Sequence, residues 1–262
     1  PIASSVTDCA LAYGAIAGHD ELDQATHNQP APHLDGIENG DLTGVRVGLY
    51  RPWFQDAQED VVSGCERGLA ALVAAGATIV EIEVPDLAMV KTAHMVSIIG
   101  EMASSQRAFD RAHVKRYGAE TRLNLSLAAS LGAHDYVGAQ RQRGRLYRQF
   151  EELFDQVDVI VTPTTGRTAP IIPKNALKTG LSNLPDTDQI MRFAPAANLT
   201  GLPAISVPSG YDRAGLPIGL QLMGRAWEEH TLLRLARVIE RAVPRSAPSV
   251  WVNPLGTTPE HP

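Results

Sequence analysis

The chain has 262 residues, of which 44% are hydrophobic and 20% are charged, and its formal net charge is −6. This length suffices for one large domain or two small ones with a buried core, and the composition excludes collagen, a coiled coil and a mostly disordered chain. The negative charge argues against nucleic-acid binding, because phosphate neutralisation needs clustered lysine and arginine. The sequence lacks an apolar run of about 18 residues, so it predicts no membrane-spanning helix.

The first part of the chain has the pattern of an α/β protein. A helix is predicted over residues 7–18, followed by a polar loop over 19–44 and an alternating strand over 45–50. Apolar residues at helical spacing predict a helix over 61–75, and β-branched residues predict a strand over 78–84. A strand, a helix and a strand joined by short turns form a βαβ unit, which implies parallel strands.

The middle of the chain is mostly helical in pattern. Residues 86–157 are predicted to be helical, with breaks near Gly118 and Gly132. A short apolar run over 158–163 predicts a buried strand. An irregular stretch over 164–185 follows, because prolines and glycines recur there.

The last part of the chain returns to strands. A helix is expected over 186–199, and strands are expected over 204–208 and 219–224. A closing amphipathic helix starts near Glu228, and residues 244–262 are expected to form an irregular tail.

The common motifs of catalysis and cofactor binding are missing from the sequence. It contains no G-x-S-x-G nucleophile elbow, no S-x-x-K, no phosphate-binding loop and no G-x-G-x-x-G. The eight histidines form neither H-x-H nor H-E-x-x-H, and Cys9 and Cys65 lie 56 positions apart. We therefore predict neither a metal nor a cofactor. The composition allows a Ser-His-Asp set, but the spacing of these residues does not support one.

Motifs along nearly the whole chain resemble the amidase signature family. Residues 198–208 (NLTGLPAISVP) are followed by 215–224 (GLPIGLQLMG) and 228–233 (EEHTLL). Residues 158–166 (DVIVTPTTG) and the opening residues 1–8 (PIASSVTD) are similar to two further motifs of that family. Because the motifs stand in the family's order, the sequence is identified as a member of it.

A finer similarity points to the plant-type fatty acid amide hydrolase branch. It rests on residues 162–173 (TPTTGRTAPIIP), 93–98 (AHMVSI) and 135–141 (DYVGAQR). The resemblance implies hydrolysis of the C–N bond of carboxylic amides, with long-chain fatty acid amides such as N-acylethanolamines as substrates. Two alternatives stay open: a non-catalytic or partner-dependent amidase-like domain, and an amidase like the catalytic component of glutamyl-tRNA amidotransferase.

The family's catalytic residues have no match in this chain. The resemblance implies a Ser–cis-Ser–Lys triad and a Gly/Ser-rich oxyanion loop, both upstream of the position of Pro1. The chain has no such loop, and its lysines match none of the catalytic contexts: Lys91, Lys115, Lys174 and Lys178. We therefore expect no catalytic residue here, and we expect residues 1–262 to be the C-terminal portion of a single amidase domain.

The resemblance also implies a fold and a set of partners. The expected fold is an α/β/α sandwich with a mixed central sheet covered by helices, incomplete here, so that a face or an edge of the sheet is open. The expected ligand is a small-molecule acyl amide, without nucleic acid. A peripheral membrane contact and a homodimer are the further associations considered for the complete protein, with a cytoplasmic or peripheral-membrane location.

One segment is predicted to line an acyl pocket. In similar fatty acid amide hydrolases, the segment before the "NL-G-P" motif lines the acyl channel. A helix from Asp186 would place Thr187 and Met191 on one face, with Leu184 before them on the same side. Leu127 is a further candidate. Packing of Met191 into the core remains the alternative.

Two glycine sites have the character of ligand-approach positions. Gly166 and the run 201–203 (GLP) lie at strand ends, where backbone can come close to a ligand. Shaping of turns is the alternative at both places.

Overall fold

The computed structural model describes residues 1–26, 29–84, 86–181 and 183–246. The described residues form one mixed sheet in the order β2-β1-β3-β5-β4. The strands are β1 (Arg46–Leu49), β2 (Thr78–Glu81), β3 (Val159–Pro163), β4 (Ala204–Tyr211) and β5 (Pro217–Gly224). The tail predicted over 244–262 lies outside the described residues from position 247 onward.

The pairing directions follow the predicted topology. β1 is parallel to both β2 and β3, whereas β5 is antiparallel to β3 and β4. The predicted parallel βαβ unit is therefore confirmed. Strands β4 and β5 form a hairpin, and both extend beyond the predicted bounds to include the residues beside their turn.

Helices cover both faces of this sheet. They are α1 (Val6–Ile16), α2 (Arg51–Phe54), α3 (Glu59–Ala74), α4 (Leu87–His113), α5 (Ala119–Ala128), α6 (Ala133–Leu153), α7 (Ala176–Thr179), α8 (Leu184–Ile190), α9 (Ala194–Thr200) and α10 (Glu229–Ala242). Within the described ranges, each helix is too short or too polar to cross a membrane.

The two faces of the sheet carry two separate hydrophobic cores. The first core joins α1, α3 and α10 to the face that presents Val159 and Val161. The second core joins α4, α6 and α9 to the opposite face, which presents Ile160. Successive residues of β3 thus point into different cores, as the period of a strand requires. The predicted α/β/α arrangement is confirmed.

The helix predicted over 186–199 is instead two short helices, α8 and α9. Pro195 stands in the first turn of α9. A proline has no N–H to donate, and its ring collides with the carbonyl group four residues earlier. In a continuous helix that carbonyl would belong to Met191, so the helix must break between α8 and α9. The buried ring of Phe193 fills this break and lies 6.1 Å from the ring of Trp53.

An ion pair joins the starts of β1 and β3. Asp158 accepts hydrogen bonds from the backbone N–H of Arg46 at 2.7 Å and from its Nη2 at 2.8 Å. Burial raises the pKa of Asp158, but the bonds from Arg46 outweigh it and hold this pKa below its ordinary value. The ionised carboxylate is therefore stabilised by the fold.

We expect Asp158→Asn to lower the free energy of unfolding by about 1 kcal/mol at neutral pH, because the lost pair is partly exposed. Since the folded pKa is depressed, the carboxylate's contribution is present above the ordinary value of ~3.9 and is lost as the pH falls below it. Urea unfolding of both proteins at several pH values measures this.

Asp155→Asn is the matched control, because Asp155 is 78% exposed and lies 3.8 Å from Arg225. Equal stability losses in the Asp158 and Asp155 variants would contradict the assignment.

Candidate functional site

A row of neutral polar side chains crosses the sheet at the carboxyl end of β3. Gln221 Nε2 donates a hydrogen bond to Thr162 Oγ1 at 3.0 Å, and both residues are buried. The Oγ atoms of Thr164 and Ser206 lie 2.6 Å apart. Because Thr162 and Thr164 are two and four residues beyond Ile160, they share its face of the sheet. This face therefore changes from apolar to hydrogen-bonding along β3.

Gly219 allows the two hydroxyl groups to meet. It lies between Thr164 and Ser206 in the sheet, and its carbonyl accepts the N–H of Thr164 at 2.9 Å. A Cβ atom on Gly219 would lie 2.7 Å from Thr164 Oγ1 and 2.8 Å from Ser206 Oγ. Any side chain at position 219 would therefore separate the pair. The row as built offers hydroxyl and carboxamide groups without formal charge.

The segment after β3 holds α8 through its backbone. The N–H of Gly166 donates to the carbonyl oxygen of Gln189 at 2.7 Å, and the carbonyl of Gly166 accepts the N–H of Gln58 at 2.8 Å. A Cβ on Gly166 would lie 2.6 Å from Gln189 Oε1 and 2.9 Å from Gln189 O. The absence of a side chain at Gly166 thus serves the approach of α8. Gly201, with φ of 79°, ends α9 in the left-handed region.

Charged side chains also anchor α8. The ion pairs on or beside this helix are Arg167–Asp186, Lys91–Asp188, Arg192–Asp188 and Arg192–Asp56. The Arg192 pairs measure 3.1 Å to Asp188 and 2.6 Å to Asp56. They connect α8 to α4 and to the turn after α2.

Three of the predicted acyl-pocket residues lie together on or next to α8. Leu184 is 62% exposed and Met191, the residue directly after the helix, is 37% exposed. The N–H of Met191 donates to the carbonyl oxygen of Thr187 at 2.9 Å, so the two residues do lie one turn apart. The Thr187 hydroxyl donates to the carbonyl oxygen of Asn183 at 3.1 Å. Met191 is therefore not packed into the core, and the role of all three in binding stays a prediction.

Leu127 lies on a different helix, α5, and is 48% exposed. The other end of α5 approaches the end of α7, where the N–H of Glu120 donates to the carbonyl oxygen of Gly180 at 3.2 Å. The rise of a helix places Leu127 about 10 Å further along α5. The described contacts do not join Leu127 to the α8 residues, and its place in a pocket also stays a prediction.

A cleft of about 310 Å³ lies beside α8 and was not predicted. Its walls include the apolar side chains of Trp53, Val90 and Ala196 and the ion pair of Lys91 and Asp188. The sequence carries one signal for it, because Asp188 and Arg192 have the spacing of a helical ion pair. The other walls come from distant parts of the chain.

The candidate nucleophiles and bases of the chain are poorly placed for catalysis. All four lysines are exposed to solvent: Lys91, Lys115, Lys174 and Lys178. A lysine that acts as a neutral base needs a desolvated site. Burial raises the pKa of the Cys65 thiol to about 12, so it stays protonated at neutral pH within the first core.

The chain belongs to the amidase family, because the family model described as Amidase matches residues 1–233. The fatty acid amide hydrolase of Medicago truncatula is 44% identical over 92% of this chain and 41% of that protein. The fatty acid amide hydrolase of Arabidopsis thaliana is 42% identical over 98% of this chain and 44% of that protein. The chain thus spans about two fifths of the length of these relatives.

More distant relatives share the fold. The A-type component of the glutamyl-tRNA(Gln) amidotransferase of Thermosynechococcus vestitus is 32% identical over 93% of this chain and 55% of that protein. The crystal structure of the corresponding Thermotoga maritima protein superposes with a TM-score of 0.72 at 27% identity, covering 93% of this chain and 52% of that one. A bacterial aryl acylamidase of the amidase signature family superposes with a TM-score of 0.74 at 18% identity, covering 91% of this chain and 51% of that one.

We expect Gly166→Ala to destabilise the chain by about 1–3 kcal/mol, because the added methyl group would push Gln189 and α8 away. The control is Gly144→Ala on α6, where an added Cβ meets no atom within 4 Å. Helix propensity predicts that this control is neutral or stabilising by up to about 1 kcal/mol. Thermal unfolding of both variants measures the difference, and an equal effect would show that the contact with α8 is unimportant.

Proposed function

We propose that this chain is part of an amidase that hydrolyses the C–N bond of long-chain fatty acid amides such as N-acylethanolamines. The observation that carries the proposal is the 44% identity to the plant fatty acid amide hydrolase over 92% of the chain. The amidotransferase components reach 30–32% identity over a similar share of the chain. An activity like that of the amidotransferase is therefore the second candidate.

We further propose that the catalytic residues lie outside this chain, as a Ser–cis-Ser–Lys triad. The absence of a Gly/Ser-rich loop from the sequence and the exposure of all four lysines support this. The plant relatives also have more than half of their length outside the match. On this proposal, residues 1–262 are the C-terminal portion of one amidase domain, which becomes active when the remainder is supplied.

The edge of the sheet gives this proposal a structural basis. Within the described residues, β4 pairs with β5 on one side and has an open edge on the other. Ala204, Ser206 and Pro208 of β4 are exposed, and a cleft of about 380 Å³ runs between this strand, the opening residues and α10. An open strand edge beside an apolar cleft suits the addition of a further strand.

The exposed apolar residues of α8 suit the acyl part of such a substrate. Leu184 and Met191 present apolar surface, and Thr187 lies between them on the helix. Each methylene of a fatty chain that leaves water contributes about 0.8 kcal/mol to binding. We propose that Leu184, Thr187 and Met191, with Leu127, contact the acyl chain once the rest of the domain covers them.

The purified 262-residue chain should release no oleate from N-oleoylethanolamine, because nucleophilic and oxyanion stabilisation are both missing. Mass spectrometry of the products measures this, with the intact Medicago truncatula relative as a positive control. Hydrolysis at an enzymatic rate by the chain alone would overturn the placement of the catalytic residues.

The acyl-pocket proposal is tested in a chimera in which this chain replaces the matching segment of the Medicago truncatula relative. Met191→Trp should reduce kcat/KM for an 18-carbon acyl amide by about tenfold more than for a 4-carbon one, because the indole fills the channel. Turnover of both amides is measured side by side.

The control is Met89→Trp, since Met89 on α4 is 43% exposed and resembles Met191 in exposure. If Met191→Trp leaves both rates unchanged, Met191 is outside the pocket. If the chimera hydrolyses neither amide but hydrolyses glutamine, the amidotransferase-like activity is favoured instead.

A further inference from the structure

Two histidine rings stack between the long polar loop and α10. The ring centroids of His33 and His230 are 3.9 Å apart, and the ring planes are inclined by 41°. His33 begins the segment 33–41, named here the strap, which lies along α10. His230 lies in the first turn of α10. The stack therefore fixes the first residue of the strap to the start of the helix.

The ring of His230 is held in an unusual environment for a titratable group. Its Nδ1 is buried and has no hydrogen-bond partner in the part of the chain that the structure describes. Its Nε2 lies 3.4 Å from Glu228 Oε2 and 3.4 Å from Thr231 Oγ1. A second proton on this ring would place an N–H at Nδ1 without an acceptor, which carries a desolvation cost.

Charged groups from three elements surround His230. Burial is the main cause that lowers its pKa, and His33 from the strap and Arg234 from α10 lower it further. Glu228 and Glu229 act in the opposite direction without reversing the shift. From α1, Tyr13 faces Glu229. Burial, with Glu229, raises the pKa of Tyr13 to about 12, so this phenol stays neutral in weak acid.

The rest of the strap is held by arginines of α10. Arg234 donates hydrogen bonds to the carbonyl oxygens of Asn39, at 3.1 Å, and Asp41. Arg237 and Arg241 pair with the carboxylate of Glu38. Arginine and carboxylate side chains ordinarily keep their charge between about pH 5.5 and 7.5, whereas histidine does not. These anchors therefore persist where the histidines change.

We propose that His33 and His230 form a pH-operated latch, which holds the start of the strap on α10 at neutral pH and releases it in weak acid. Neutral rings stack without repulsion, whereas two imidazolium ions at this separation repel each other. The described His, Cys, Asp and Glu side chains form no group of three that could hold a metal ion, so protons are the ligand of this pair.

The direction of the effect follows from proton linkage. The folded state disfavours the proton on His230, so the released state binds more protons than the latched state once the pH falls below the ordinary histidine value of ~6.5. The stability of the latch is therefore complete above that value and declines as the pH falls further. Arg237 and Arg241 keep the far end of the strap attached, so the opening is local.

Amide hydrogen exchange of residues 33–41 tests the latch in the intact chain. Protection factors, corrected for intrinsic exchange rates, are measured by mass spectrometry at about pH 7.5 and pH 5.5. We expect protection at the start of the strap to fall by about tenfold at the lower pH, which corresponds to one unit of pKa difference. Ring-proton NMR measures the titration of His230 in the same samples.

Two substitutions separate the latch from a general loosening of the loop. His33→Gln should remove the pH dependence of protection and raise the pKa of His230, and His230→Gln should also remove the pH dependence. His134→Gln is the matched control, because His134 is 87% exposed on α6 and should leave the pH dependence unchanged. Equal protection of the wild-type strap at both pH values, or the same fall in the His33→Gln and His230→Gln variants, overturns the proposal.

Discussion

The structure depends on the complete enclosure of β3. This strand has hydrogen-bonded neighbours on both sides, parallel β1 and antiparallel β5, and all five of its residues are buried. Val159 and Val161 contact one core, and Ile160 contacts the other. A strand enclosed in this way leaves no freedom of register, because a shift by one residue would exchange the two sets of side chains. The elements that follow β3 are positioned by this constraint.

The enclosed strand also determines where chemistry can be placed. Along one face, the side chains change from Ile160 to the hydroxyl groups of Thr162 and Thr164. A buried hydroxyl needs a partner, and Gln221 on the neighbouring strand supplies it. The polar row is therefore possible because the antiparallel register brings its members together. Its neutrality matches an uncharged amide better than an ionic ligand.

Much of this fold could be predicted from local patterns. The apolar run of β3 and the stripe of Leu232, Leu235 and Ile239 on α10 each predicted a buried surface, and all of these residues are buried. The break between α8 and α9 was also visible in the sequence, since Pro195 excludes a helical bond to the carbonyl of Met191. The helical pattern of the surrounding residues concealed it.

The candidate site could be predicted less well, because its supports are distant in the sequence. Lys91 and Asp188 are 97 positions apart, and Asp56 and Arg192 are 136 positions apart. A pattern within a short window cannot reveal such pairs. The cleft beside α8 became visible only once the fold had brought α4, the turn after α2 and α8 together.

These distant supports have a consequence for α8 itself. An isolated helix of seven residues is not stable in water, since nucleation costs more than so few hydrogen bonds return. The helix also buries none of its residues, so packing into a core does not stabilise it either. Its position must therefore come from the backbone contact with Gly166 and from the ion pairs of Arg167 and Arg192. The apolar side chains of α8 are thus free to face a ligand, while polar groups that never touch that ligand determine where they point.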